Sequence, residues 1–322
     1  MKRFIPLALL AILSEQASAE PFAYITNQGA DTVSVIDLAT DKVTATIATG
    51  KAPVGVAIDH FDSRLYVTNV ESHSVSIIDM LTNQPIGEVK LDISPVGITL
   101  SKNASQLFVA DWFQDRVMVF NTKDLLAPDA GKNFKEVSMG KAPAGMVLSR
   151  EGASLYVANR DSDEVGVIEI RTLKVINKIP VGKHPFGMVL GGDGRNLFVV
   201  NVQSNSISII DTHSDKVTAT IKVGEHPYCV TTNPDGSIAY VTNTGADSVS
   251  VVDVKAKKVI ATIPTGGFPE GISFDAKHNR VIVASWMDDE INVIDAKTLK
   301  KISSVATASK SRAFGQFIGN PK

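Results

Sequence analysis

The sequence predicts an all-β protein, a seven-bladed β-propeller of four-stranded antiparallel blades. Three observations carry that expectation. A Pro-x-Gly unit ahead of an apolar run recurs as Pro53-Val54-Gly55, Pro95-Val96-Gly97, Pro143-Ala144-Gly145, Pro185-Phe186-Gly187, Pro227-Tyr228-Cys229 and Pro269-Glu270-Gly271, with a degenerate Ala313-Phe314-Gly315 at the end. The six prolines stand 42, 48, 42, 42 and 42 residues apart, and Ala313 follows Pro269 by 44. A period of roughly 40 to 45 residues with four strands per unit is the mark of a propeller blade.

Residues 1–19 lie outside the repeat. Lys2 and Arg3 precede an apolar run from Phe4 to Leu13, and Ala17-Ser18-Ala19 precedes Glu20. This is the pattern of a secretory signal peptide cleaved after Ala19, with an apolar run too short to span a bilayer. Residues 20–322 then form the propeller, about 43 residues per blade, and no later segment is apolar enough for a membrane span. An exported, periplasmic protein is expected. Without the leader's Lys2, Arg3 and Glu15 the formal charge moves from −2 to −3, so no global field attracts polyanions. Cys229 is the sole cysteine and cannot form an intrachain disulfide.

Within blade two, residues 54–58 lead into Arg64-Leu-Tyr-Val-Thr-Asn69, Ser74-Val-Ser-Ile-Ile-Asp79 and Pro85-Ile-Gly-Glu-Val-Lys90. These read as strands A to D, innermost to outermost. The continuous apolar run Leu65-Tyr66-Val67 predicts burial on both faces, and the alternation in Ser74 to Ile77 predicts a strand nearer the outside. Asp37, Asp79, Asp211, Asp253 and Asp295 end strand C, where a short carboxylate can accept from the next turn. Asn27, Asn69, Asn159, Asn201 and Asn243 end strand B and are expected to do the same for the B–C loop. The Pro-x-Gly glycines permit close approach where the inner strands converge. Blade three is six residues longer, with the excess around Leu125 to Asn133, a loop excursion on the face away from the rim.

The ends predict ring closure. The mature chain starts on a B strand, Phe22 to Asn27, and Arg312 to Ile318 matches an inner strand, so residues 313–319 are expected to complete blade one with residues 22–49.

Tyr66-Val-Thr-Asn69 and Tyr240-Val-Thr-Asn243, with Tyr24-Ile-Thr-Asn27, Tyr156-Val-Ala-Asn159 and Phe198-Val-Val-Asn201 as close variants, resemble the tetrapeptide of the YVTN β-propeller repeat family. The chain is similar along nearly its whole mature length to YncE-like periplasmic propellers, and distantly similar to the haem d1 propellers of nitrite reductase and its maturation proteins. The resemblance implies a fold, not one activity, because such propellers carry different functions.

The D–A and B–C loops share one face around the channel, where departures from the repeat point to function. Ahead of the proline position stand Ala52, Ser94, Ala142, His184, His226, Phe268 and Arg312, and just after it Phe186, Tyr228, Glu270 and Phe314. His184, Phe186, His226, Tyr228, Phe268, Glu270 and Arg312 therefore form a candidate ligand- or partner-binding arc. Trp112, Trp286 and Arg160 on the B–C loops extend it, since an indole in a loop needs packing or a partner. Two histidines in adjacent blades do not make a metal site, and Cys229 with His226 is not expected to be a nucleophile–base pair. No catalytic residue and no metal ligand is assigned.

The expectation is a monomeric binding, scaffold or accessory protein holding a small molecule or a periplasmic protein at the channel mouth. The rival is a redox-associated cofactor protein or enzyme, haem d1-like or quinoprotein-associated. No cofactor is expected; Cys-x-x-Cys-His is missing, which leaves only a noncovalent haem with one histidine ligand. Single-stranded nucleic acid is a third alternative, disfavoured because Asp92, Glu225, Glu270 and Asp161 to Glu164 interleave the basic residues.

Overall fold

The computed structural model describes residues 21–321. Seven antiparallel four-stranded sheets follow one another, and their order is A-B-C-D in every blade. Blade two comprises Pro53–Asp59, Arg64–Asn69, Ser74–Asp79 and Gln84–Lys90. The signal-peptide assignment falls on residues outside those described. Among the described residues no helix is long and apolar enough to cross a membrane.

Strands B are buried on both faces, as the Leu65-Tyr66-Val67 run predicts. Strand C departs from its expectation, because Ser74 and Ser76 are buried with Val75 and Ile77. The reason lies in the asparagines, which do not serve the B–C turn. Asn69 Nδ2 crosses to donate to Ser74 Oγ at 3.1 Å and Ser76 Oγ at 2.9 Å. Asn27, Asn201 and Asn243 repeat this with hydroxyls of their own strands C. Buried polar groups must be paired, so the serine alternation encodes an internal amide–hydroxyl ladder rather than a wet face. Strand D is the exposed one. The strand C aspartates behave as expected; Asp79 Oδ1 accepts from the Leu81 and Thr82 amides.

Threonine in the recurring tetrapeptide joins blades. Thr26, Thr68 and Thr242 hydroxyls donate to the carbonyls of Val54, Val96 and Glu270 in the next blade, at 3.1, 3.0 and 3.0 Å. The inner-strand glycines sit where the blades touch. A Cβ on Gly97 would stand 1.9 Å from the Ala144 carbonyl oxygen, and backbone cannot retreat as a side chain can. Gly97→Ala is expected to cost about 1–3 kcal/mol or more by overpacking. At Gly87 the nearest atom is the flexible end of Leu126, at 2.5 Å, so Gly87→Ala should be milder. Thermal melts of the two variants check this; equal losses would contradict it.

The ring closes as the ends predict, with a register correction. Ile318–Gly319 pairs with Ala23 and Phe22, Tyr24 N–H donates to the Phe317 carbonyl, and Arg312 N–H donates to the Thr26 carbonyl. Ser311 pairs with Asn27 as Pro53 does with Asn69, so Ser311 and not Ala313 holds the proline position. Two residues are thereby inserted into the closing strand. They bulge through left-handed Ala313 (φ 109°) and Gly315 (φ 123°), and Phe314 reaches across to exchange two backbone hydrogen bonds with Val54 and Val56 of blade two. The blade-three excursion forms two short 3-10 turns, Thr122–Asp124 and Ala130–Lys132, and lays Gly131 against the Lys90 carbonyl of blade two.

Candidate functional site

Backbone chemistry fixes the rim. Ala52, Ala142, His184, His226, Phe268 and Lys310 adopt left-handed φ between 46 and 58°. That conformation costs a non-glycine residue about 1–2 kcal/mol. Each N–H is captured by a side chain of the preceding blade's B–C loop, Asp31, Asp115, Asp163, Asn205, Asp247 and Asp289 respectively, at 2.6–3.0 Å. His184, His226 and Phe268 therefore stand at the rim as expected. In blade one the rim residue is Lys310, not Arg312, because of the two-residue register correction.

Arg312 instead occupies the position after the proline, in line with Phe186, Tyr228 and Glu270 on consecutive blades. Its guanidinium is an internal hub. Nε lies 2.6 Å from Glu270 Oε2, Nη2 donates to the Tyr228 hydroxyl at 2.7 Å, and Nη1 donates to Gln28 Oε1 at 3.0 Å. Glu270 is 5% exposed. Burial pushes its carboxyl above the usual range while Arg312 works against that rise. Burial likewise raises the Tyr228 phenol. Phe186, Tyr228 and Phe314 pack across the channel, with ring centroids 4.5, 4.7 and 6.3 Å apart. These residues form a floor below the rim, so the arc is two layers and not one.

Above the floor the aromatic and charged groups gather in two clusters. On blades three to five, Trp112 packs edge-on to Phe186, Arg160 lies 5.2 Å over the Trp112 ring, Asp161 binds Arg160 at 2.7 Å, and His184 Nε2 is 3.9 Å from Asp161. On blades seven and one, Trp286 packs on Phe268, donates its indole N–H to Gln28, and carries Lys310 5.0 Å over its ring. Exposed His226 lies on the blade between them. Each tryptophan is followed by an exposed apolar residue, Phe113 at 77% and Met287 at 64%. Sequence reasoning missed these two and Lys310; apolar residues at the tip of a polar turn were the available signal.

The arrangement offers aromatic faces, cation–π pairs and imidazoles, which suit recognition. Cys229, beside it, is not an activated nucleophile. Cys229 is buried and its thiol is pushed up by that burial, whereas His226 precedes the strand and is exposed. Among the described residues no group of three or more His, Cys, Asp or Glu side chains could hold a metal ion. Under the two histidines the Phe186, Tyr228 and Phe314 rings pack against one another in the channel.

Comparison with known proteins adds a family and a fold. The family model described as YNCE-like beta-propeller matches residues 4–313. No curated protein matches the chain. A functionally unknown protein from Desulfotomaculum acetoxidans DSM 771 superposes with a TM-score of 0.79 at 15% identity, covering 94% of this chain and 99% of that one. Kuenenia stuttgartiensis hydrazine synthase gives 0.73 at 21% identity over 84% and 91% of the two chains. Dihydro-heme d1 dehydrogenase NirN in complex with DHE gives 0.70 at 14% identity over 90% and 74%. At these identities the structural likeness is one of fold.

Proposed function

The chain belongs to the YNCE-like beta-propeller family, and from that premise we propose that it is an exported binding or accessory protein whose ligand or partner docks on the D–A and B–C face. One observation carries the reading: within a repeat that elsewhere scarcely changes, this face collects both tryptophans, each under a cation and beside an exposed apolar residue. His184, His226, Phe268, Trp112, Trp286 and Arg160 would make contact. Tyr228, Glu270 and Arg312 would hold the floor. Export would follow from the leader at residues 1–19, and N-terminal sequencing of the mature protein should then begin at Glu20.

Both tryptophans lie at this face, so occupancy there should change intrinsic tryptophan emission. Protein purified from its native host is expected to carry or capture a species that quenches or shifts that emission. Trp286→Ala with Arg160→Ala should weaken capture by about 1–3 kcal/mol per contact removed while the melting temperature holds. Native mass spectrometry identifies the species. A Soret band in the same preparation would move the reading to a cofactor carrier, and binding indifferent to both substitutions would overturn the rim assignment.

A further inference from the structure

The channel has a second opening that the rim residues do not touch. On the side of the A–B loops it widens into a cavity of about 640 Å³. Ile98, Leu100, Met146, Leu148, Met188 and Leu190 contribute to its apolar wall, and Phe314 closes its inner end. Phe314 is available for this because of the two residues inserted into the closing strand. Its ring also packs 4.7 Å from Phe186, so the same floor bounds both openings. The size lies within the range of pockets that enclose drug-sized ligands.

Charge in the cavity lining is one-sided. None of the lining residues is Asp or Glu, whereas His60 and Lys102, on the A–B loops of adjacent blades two and three, line it and are exposed. Lys102 Nζ donates one hydrogen bond, to the Arg150 carbonyl at 2.9 Å. An ammonium has three donors, so capacity remains. Asp59, Asp193, Asp235 and Asp275 flank lining residues without lining the cavity: the first three accept from their own turns, from Phe61 N–H at 2.8 Å, Arg195 N–H at 2.9 Å and Ser237 N–H at 2.9 Å, and Asp275 is ion-paired with Arg280 at 3.1 Å.

We infer that this cavity is a separate binding site for a small molecule with an apolar body and an anionic head. Burying the body releases ordered water from both surfaces. A cationic group would be desolvated with no carboxylate in the lining to receive it, whereas an anion at the margin stays partly hydrated beside Lys102 and His60.

The test compares a dansyl-labelled undecanoic acid with a dansyl alkylamine of the same chain length, using the mature protein. The acid should bind saturably, one per chain, with a blue-shifted dansyl emission, and at least tenfold more tightly than the amine. Gln316→Trp, an exposed substitution in the cavity wall, should weaken the acid at least tenfold at unchanged melting temperature. Lys102→Ala should narrow the acid–amine difference. Trp112→Ala and Trp286→Ala should leave the probe unaffected, which separates this site from the rim reading. The inference is overturned if neither probe saturates, if acid and amine bind alike, or if only the tryptophan substitutions reduce binding.

Discussion

Deleting residues from Arg312 onward should leave a protein that unfolds at much lower temperature and aggregates on expression. The truncation removes the strand partner of Phe22–Asn27, including the Tyr24 to Phe317 and Arg312 to Thr26 hydrogen bonds. It also withdraws the Phe314 bonds that hold blade two, so two blades lose contacts at once. Phe317 is fully buried and Phe314 is 6% exposed. Removing a buried phenylalanine costs about 3–5 kcal/mol. Two of them approach the whole stability of an ordinary domain, about 5–15 kcal/mol. The exposed edge of Phe22–Asn27 then becomes a template for intermolecular pairing. A truncated protein that melts and remains soluble like the full chain would contradict this account of closure.

Arg312→Met should cost about 3–5 kcal/mol, the scale for leaving one partner of a buried ion pair uncompensated. Glu270 would remain in the channel floor without the charge 2.6 Å away that now balances it. Adding Glu270→Met should recover most of the loss, because replacing both ions by apolar groups of similar volume is far cheaper than removing one. The pH dependence has a definite sign. Burial raises the folded-state carboxyl of Glu270, and Arg312 is the influence that lowers it. For an acid with a raised folded pKa, the favourable contribution is present below the unfolded value of about 4.3 and is lost as pH rises through the folded value. Without Arg312 that rise is larger, so the deficit of Arg312→Met should be greater at pH 8 than at pH 4.5. Denaturant titrations at the two values check it. An equal deficit at both, unrelieved by Glu270→Met, would show that the pair is not what holds the floor.

The repeat made the architecture legible because blade spacing, β-branched runs and terminal complementarity all arise from local pattern. The closing strand was legible in identity but not in register. An insertion of two residues leaves no mark when Ser311 stands where proline stands elsewhere, and only pairing with Asn27 reveals it. The same blindness misplaced Arg312 at the rim and passed over Lys310. Asn69 was misjudged for a different reason: whether an amide serves its own turn or reaches across to Ser74 and Ser76 depends on which neighbouring hydroxyls are buried. At the candidate site, the residue types on the loops were visible, and so was their sector. The division into a sealed floor and an exposed rim was not, because it depends on how Phe186, Tyr228 and Phe314 meet in space. The apolar wall of the cavity beyond the floor is built from ordinary strand residues, which carry no sequence signal of their own.

Two exposed phenylalanines on opposite faces supply the most direct test of which face does the binding. Phe113, beside Trp112 on the rim, is 77% exposed, and Phe61, on the A–B loop of blade two, is 70% exposed. A benzophenone amino acid can replace either with little change in size, and light then joins it to whatever lies against it in the native host. The account predicts a discrete adduct from position 113, suppressed by Trp112→Ala with Arg160→Ala, and none of that species from position 61. The same adduct arising from position 61, or a position-113 adduct indifferent to those substitutions, would contradict it.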